Sequence, residues 1–391
     1  MRVVHLGAFL VFGEGTLPKL RLNLPASGWF PALQYLPWPI TEANLSYIEL
    51  FFSPHLKRIL IYSSWSDSEV PHDIFPAIAL TISILPTSAL QTILAGDDYP
   101  EVLWVYLKDS FSSVILRCGP SFTKLVSPIQ LTDAVTNHLL RLPNLNTWRV
   151  GGPPPNYSAS SFPPAFPPLT KLILRGDAAR GWVSLFNRIE DHAYATQGRT
   201  PLSELKKSLE SLKVEAHLDP ILDASFASQI KLFRNLVSLA IDAHCHDMDG
   251  VRQCIFKLNN EAVAELAMAL PQLEYLFLGR PCFEDTCATT VACLLSISVH
   301  CLKLKELQIH ISTTNIVDDL KNISEDPRFQ ELWSLPKCTL TDLDMPQKGI
   351  PLDGPGFEIV ANGMVDIFPS LKFRQGVSSI WDKLNKRIAA R

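Results

Sequence analysis

The chain lacks the short signatures that commonly mark a reaction centre. It has no Gly-x-Ser-x-Gly elbow, no Gly-Lys-Ser/Thr phosphate loop and no Gly-x-Gly-x-x-Gly turn. Catalytic groups need not be neighbours in sequence, but nothing local supports an enzyme. No catalytic residue, metal or cofactor is therefore implied. No apolar run reaches the ~18 residues that a membrane span needs. Charge of one sign is also scarce: the formal net charge is -4 over 391 residues. So small an excess gives no strong attraction to nucleic acid or to an acidic membrane. The eight cysteines show no Cys-x₂-Cys pair, and a chain of this length has enough core without crosslinks. They read as reduced, packed thiols, which suits the cytoplasm or nucleus.

One phrase is abundant: a Leu, two spacers, an apolar residue, one spacer and another apolar residue. It stands at Leu33-Gln34-Tyr35-Leu36, at Leu56 to Ile61, and at Leu90-Gln91-Thr92-Ile93. It returns at Leu145 to Val150, Leu169 to Leu174, Leu209 to Val214, Leu236 to Ile241 and Leu273 to Leu278. Leu304 to Ile309, Leu340 to Met345 and a degraded Leu371-Lys372-Phe373 complete the series. A period of ~25–40 residues with this phrase is the strand of a leucine-rich repeat. One such unit cannot bury its own apolar face, whereas a stack can. Thirty prolines fit a chain of many short elements.

Helical spacing fills the intervals. Thr132 is expected to cap a helix that turns Ala134, Val135, Leu139 and Leu142 inward. Asn260 should cap another, with Val263, Leu266, Ala267 and Leu270 inward. Asp285 precedes a third that carries Val291, Leu294, Leu295 and Val299. Asp326-Pro327 opens a fourth with the apolar face Phe329, Leu332 and Trp333. Phe357, Val360, Ala361, Met364 and Ile367 mark the last. The expected fold is α/β, a right-handed leucine-rich-repeat solenoid with a curved parallel sheet on its concave side and helices on its convex side. Residues 1–29 read as an irregular segment or cap. Residues 30–375 read as the repeat domain, and 376–391 as an amphipathic capping helix, with a partner-binding helix as the alternative. Surface loops are expected at 151–164, 190–201 and 346–355.

Strand alternation sends the first, fourth and sixth residues of each phrase into the core and the third and fifth outward. The outward pairs run Tyr35 and Pro37, Arg58 and Leu60, Thr147 and Arg149, Lys171 and Ile173, Ser211 and Lys213. They continue with Ser238 and Ala240, Tyr275 and Phe277, Glu306 and Gln308, Asp342 and Asp344. This face is basic in its first half, apolar at Tyr275 and Phe277, and acidic at its end. Arg58, Arg149, Lys171, Lys213, Tyr275, Phe277, Glu306, Asp342 and Asp344 are thus the candidate partner-binding residues. Arg149, Lys171 and Lys213 are expected to form a contiguous ladder on consecutive strands, exposed in the free protein. The occupant is expected to be a protein segment, since exposed aromatics flanked by charge resemble interface hot spots. A monomer is expected, without nucleic acid or membrane as partner.

Two cysteine-bearing clusters carry residue types that zinc can use. His244-Cys245-His246-Asp247-Met248-Asp249, with Cys254 nearby, is the densest set of ligand-type residues. Its aspartates suit a polar turn instead. Cys282, Cys287, Cys293 and Cys301 sit around one helix and read as packing.

Several segments resemble the repeat region of F-box/leucine-rich-repeat proteins, above all the large set of mushroom-forming fungi. They are His244 to Asp247, Phe256 to Asn260, Cys282 through Ile309, Leu142 to Val150 and Asp326 to Leu332. The likeness covers roughly residues 30–375. It implies a substrate-recognition part of a ubiquitin ligase receptor, with a Skp-type adaptor and a cullin reached through an F-box. Residues 1–45 hold Gly, Pro and a strand phrase where that family carries its F-box helices. A stand-alone repeat scaffold is therefore the alternative.

Overall fold

In the computed structural model the residues described are 30–40, 45, 48–63, 72–96, 101–151, 166–175, 178–195, 202–216, 224–243, 247–248, 251–252, 257–279, 287–346, 350–351, 353–371 and 382–386. The chain divides into two compact units, Met1–Ala178 with Ile189–Leu205, and Ala179–Arg188 with Lys206–Arg391.

The first unit holds strands β1 (Tyr35–Ile40), β2 (Arg58–Ser63), β3 (Thr92–Ala95), β4 (Lys124–Val126), β5 (Thr147–Val150) and β6 (Lys171–Arg175). Each pairs in parallel with the next in sequence. Helices α1 (Phe75–Ser83), α2 (Glu101–Leu116) and α3 (Asp133–Leu139) make the crossovers from β2 to β5; α4 (Ala178–Ala195), which follows β6, is assigned to the second unit over Ala179–Arg188. Next come α5 (Ser203–Ser208) and then, in the second unit, β7 (Ser211–Ala216), α6 (Ala224–Ile230) and β8 (Ser238–Ala243). A small antiparallel ribbon, β9 (Asp247–Met248) with β10 (Val251–Arg252), precedes α7 (Asn260–Ala269) and β11 (Tyr275–Leu278). Then follow α8 (Ala292–His300), β12 (Glu306–Ile309), α9 (Ile316–Glu325), α10 (Pro327–Ser334), β13 (Asp342–Asp344) and α11 (Gly354–Ile367). Strands β7, β8, β11, β12 and β13 pair in that order, all parallel. Parallel strands alternating with helices, each strand laid beside its predecessor, make this an α/β repeat solenoid.

The repeated Leu phrase explains the packing. Its first, fourth and sixth residues fill the space between sheet and helices. Leu145, Leu172, Leu212, Leu239, Leu276 and Leu307 are each at most 2% exposed. A second regularity lies in the backbone. In nine of the phrases the second residue turns its carbonyl toward the next repeat and accepts two N–H groups. Gln34 O receives Lys57 N and Arg58 N, both at 2.9 Å, and Glu210 O receives Val237 N at 2.8 Å and Ser238 N at 2.9 Å. The same fork recurs at Lys57, Gln91, Thr123, Asn146, Val237, Glu274 and Lys305. It fixes the register from which every outward row follows.

Several sequence expectations shift. A strand was missed: β4 begins its phrase with Phe122 instead of Leu, and that ring is 0% exposed. Thr132 does cap α3, its Oγ1 accepting from Val135 N at 3.4 Å, but Ala134 faces solvent. The cap of α7 is Asn259, one residue earlier than expected, whose side chain accepts from Ala262 N at 2.8 Å. Helix α8 starts at Ala292 and is buried without a break from Cys293 to Val299. The polar stretch after Ile189 is not all loop, because α4 runs to Ala195; Glu190, Ala193 and Ala195 are good helix formers. Asp326 caps α10 as expected, yet Phe329, Leu332 and Trp333 are only half-buried. At the C-terminus residues 382–386 are helical and Leu384 is buried, while Ile380, Trp381 and Ile388 lie outside the described residues. So do residues 1–29 and 152–165. Among the described residues no helix is long and apolar enough to cross a membrane.

Candidate protein-binding face

In the first unit the third residues of six phrases stand level across the strands: Tyr35, Arg58, Thr92, Lys124, Thr147 and Lys171. Cations and threonines alternate in this row. Arg58 and Lys171 are exposed and Lys124 half-buried. The Arg58 guanidinium lies 5.1 Å from the centre of the Tyr35 ring, one strand away. Among the described residues neither Lys124 nor Lys171 has a carboxylate partner. The adjacent row of fifth residues is aliphatic over Leu60, Leu94 and Val126. Beyond it, burial foremost and then the neighbouring Tyr35 push the Tyr62 phenol up, which keeps it neutral. Among the described residues, the outward strand positions of this unit carry Arg58, Lys124, Arg149, Lys171 and Arg175 and no carboxylate.

The second unit has the opposite sign. Its third-position row is Ser211, Ser238, Tyr275, Glu306 and Asp342, and the fifth-position row is Lys213, Ala240, Phe277, Gln308 and Asp344. Tyr275 is half-exposed between Ser238 and Glu306. Glu306 and Asp342 lie level on adjacent strands, where like charges one spacing of ~4.8 Å apart raise the local potential. Lys213 gives little relief, because its Nζ is tied to Glu215 at 2.8 Å. His310, outward on the exit of β12, adds no charge at neutral pH: burial holds its pKa below the usual imidazole value.

Two sequence expectations need correction. Arg149 and Lys171 share a face on neighbouring strands but are not level, since Arg149 stands beside Ile173 and Lys171 beside Thr147. Arg149 is also 5% exposed and Phe277 8%. Parallel neighbours in register hem these fifth-position side chains from both sides, so they are not solvent-facing groups. Sequence reading missed Lys124 and Thr92 as members of the basic row. Lys124 was hidden by the Phe that opens its phrase, and Thr92 by the truncated reading of the phrase at Leu90.

Away from the strands, an open cleft of about 810 Å³ lies among α9, α10 and α11, lined by Leu320, Trp333, Ile359 and Asp366 among others. The Trp333 indole donates to Ile323 O at 3.3 Å. Lys337 Nζ lies 5.6 Å from that ring's centre and donates to Leu332 O and Trp333 O at 3.1 and 3.0 Å. The cleft is thereby bounded by a tied-down helix end. Cys118, Cys287, Cys293, Cys301 and Cys338 are buried free thiols. Among the described residues no group of His, Cys, Asp or Glu has the arrangement of a metal site. His244, Cys245, His246, Asp249, Cys254 and Cys282 lie outside them.

No family model matches the chain, and no curated protein matches it. Solved structures give distant likenesses. A Bacteroides fragilis protein, a structural-genomics crystal structure, is 14% identical with a TM-score of 0.30, covering 83% of this chain and 67% of its own. The hyperthermostable endo-1,4-beta-D-mannanase of Thermotoga petrophila is 9% identical with a TM-score of 0.21, covering 92% and 99%. The fold assignment rests on the strand and helix arrangement itself.

Proposed function

We propose that this chain is a protein-binding repeat scaffold without chemistry of its own, and that each unit offers its outward strand face to a protein partner. The observation that carries this reading is the sorting of charge between the outward strand positions of the two units. Among the described residues, the outward strand positions of the first unit hold cations and no carboxylate, and carboxylates crowd those at the end of the second. A chain of nearly balanced net charge has no electrostatic reason to sort its residues so; an oriented partner supplies one. Tyr275, half-exposed beside an acidic row, has the character of an interface anchor. The buried free thiols suit a reducing compartment, cytoplasm or nucleus.

The finer reading comes from the family resemblance. It makes the bound protein a ubiquitylation substrate, delivered through a Skp-type adaptor and cullin. Co-purification of such an adaptor with the full gene product tests that coupling separately from target binding.

The test of the contact surface is site-directed. A photo-crosslinking amino acid replaces Lys171, Tyr275 or, on an exposed helix surface, Met268. Polypeptides captured at the first two positions and not at Met268 are the expected result. Equal capture at all three, or capture at Met268 alone, rules the surface out.

A further inference from the structure

We infer that the first unit's outward row receives an extended acidic polypeptide segment in the polyproline II conformation, with a carboxylate at every third residue. This rests on the outward face being the contact surface and adds the chemistry and spacing of its occupant. The cations Arg58, Lys124 and Lys171 stand on alternate strands of one level row, separated by Thr92 and Thr147. Adjacent strands lie ~4.8 Å apart, so these charges recur at about 9.6 Å. A polyproline II chain rises 3.1 Å per residue with three residues per turn, so every third side chain points the same way at about 9.3 Å intervals. Laid across the strands, such a segment brings successive carboxylates over successive cations. The guanidinium and ammonium groups supply the charge-assisted hydrogen bonds that a carboxylate accepts most strongly, while Thr92 and Thr147, 7% and 9% exposed, floor the row between them. The next face of the three-sided helix then meets the aliphatic row Leu60, Leu94 and Val126.

The alternatives fit less well. An α-helix repeats a face about every seven residues, ~10.5 Å along its axis. That drifts by about 2 Å over the two intervals from Arg58 to Lys171. Single-stranded nucleic acid wants aromatic stacking platforms beside its cations. Here the neighbouring row is aliphatic, and the Tyr35 ring is already covered by Arg58.

The experiment measures fluorescence anisotropy with the full chain. The probe is a labelled peptide of four Glu-Pro-Pro triplets. Its isomer has the same composition with the four glutamates contiguous, and oligouridylate serves as the nucleic-acid control. The expected result is binding of the triplet peptide at least tenfold tighter than either control. Lys124→Glu with Lys171→Glu should weaken it at least tenfold more. The milder Lys124→Gln with Lys171→Gln should give an intermediate loss at an unchanged melting temperature, which separates binding from folding. Equal binding of the isomer, tighter binding of the oligonucleotide, or indifference to the lysine changes overturns the inference. Absence of peptide binding while crosslinking at Tyr275 persists removes this inference alone. Loss of both removes the contact-surface reading as well.

Discussion

At the scale of single residues, burial decides what the sulfur atoms can do. The Cys118 thiol is pushed up to about 12 by burial, with the nearby Arg117 charge pulling slightly back. Burial and then the neighbouring Cys338 raise Cys301 to about 12, and burial raises Cys338 to about 11. Cys293 moves in the same direction, for burial first and Cys287 second. The thiolate is the nucleophile, so these groups are inert in the folded chain. At pH 8, iodoacetamide should leave all four unmodified over a time in which the guanidinium-unfolded chain reacts fully, as read by peptide mass spectrometry. Their folded pKa values lie above the ordinary 9.0, so the folded state holds these protons more tightly. That contribution is complete below pH 9 and drains away as pH rises toward 12. The urea midpoint should fall across that window, and Cys301→Ala should flatten the fall. Burial of this kind was legible, because cysteine among helix apolar positions is a packing residue. The burial of Arg149 and Phe277 was not. Alternation along one strand says which way a side chain leaves the sheet, but the residues standing level on the next strands decide whether water reaches it.

At the scale of elements, the Leu phrase announced ten of the eleven parallel strands at their places and hid one, and beyond Leu371 its last copy, with Lys372 and Phe373, lies outside the described residues. The hidden strand, β4, obeys the same physics with Phe122 in the leading position; a pattern keyed to leucine misses what a pattern keyed to a large apolar side chain finds. Helix ends were read to within a residue where a cap side chain signalled them, at Thr132 and Asp326, and poorly where none did, as for α8. The backbone fork could not be read from sequence, because any residue except Pro can supply its carbonyl and N–H groups. Thr at the second position does add a side-chain donor to it: Thr123, Thr170 and Thr341 Oγ1 each donate to the fork carbonyl at 3.0–3.2 Å. Two glycines mark how tightly elements approach. A Cβ on Gly151, at the exit of β5, would stand 2.7 Å from Pro128 O and 3.1 Å from Ile129 O. These are backbone atoms that cannot step aside. On Gly363 in α11, it would stand 2.8 Å from Leu320 Cδ2, the far end of a side chain. Gly151→Ala should therefore cost ~1–3 kcal/mol of overpacking. Gly363→Ala should cost less, since Leu320 can turn and alanine favours a helix. Urea titrations of the two variants check the order; a larger loss at Gly363 would contradict it.

At the scale of the molecule, the governing fact is that within each unit the main strands pair only with their sequence neighbours. Most helices do the same, with α1 against α2, α2 against α3, and α6 against α7 against α8, while toward the C-terminus α8 also meets α10 and α11, and α9 meets α11. Stability in such an array is a sum of repeat terms and nearest-neighbour interface terms. The first unit tests this within itself. Leu36 in β1 and Leu172 in β6 are both at most 1% exposed but lie at opposite ends of its strand order. Truncating either to alanine should cost ~2–5 kcal/mol, and the double variant should lose the sum to within ~0.5 kcal/mol. Leu36 and Ile59 are level on paired strands. Leu36→Ala combined with Ile59→Val should depart from the sum by ~0.5–3 kcal/mol, because each residue fills space the other needs. Hydrogen exchange locates the damage. Leu36→Ala should strip protection from β1 and β2 and leave β5 and β6 close to their original rates, since no direct contact carries the cavity across four strands. Uniform loss over all six strands would mean that the unit opens as one cooperative body. The distant pair would still add in that case, because additivity requires only that the two sites share no partners, so the exchange pattern is what separates local from global opening.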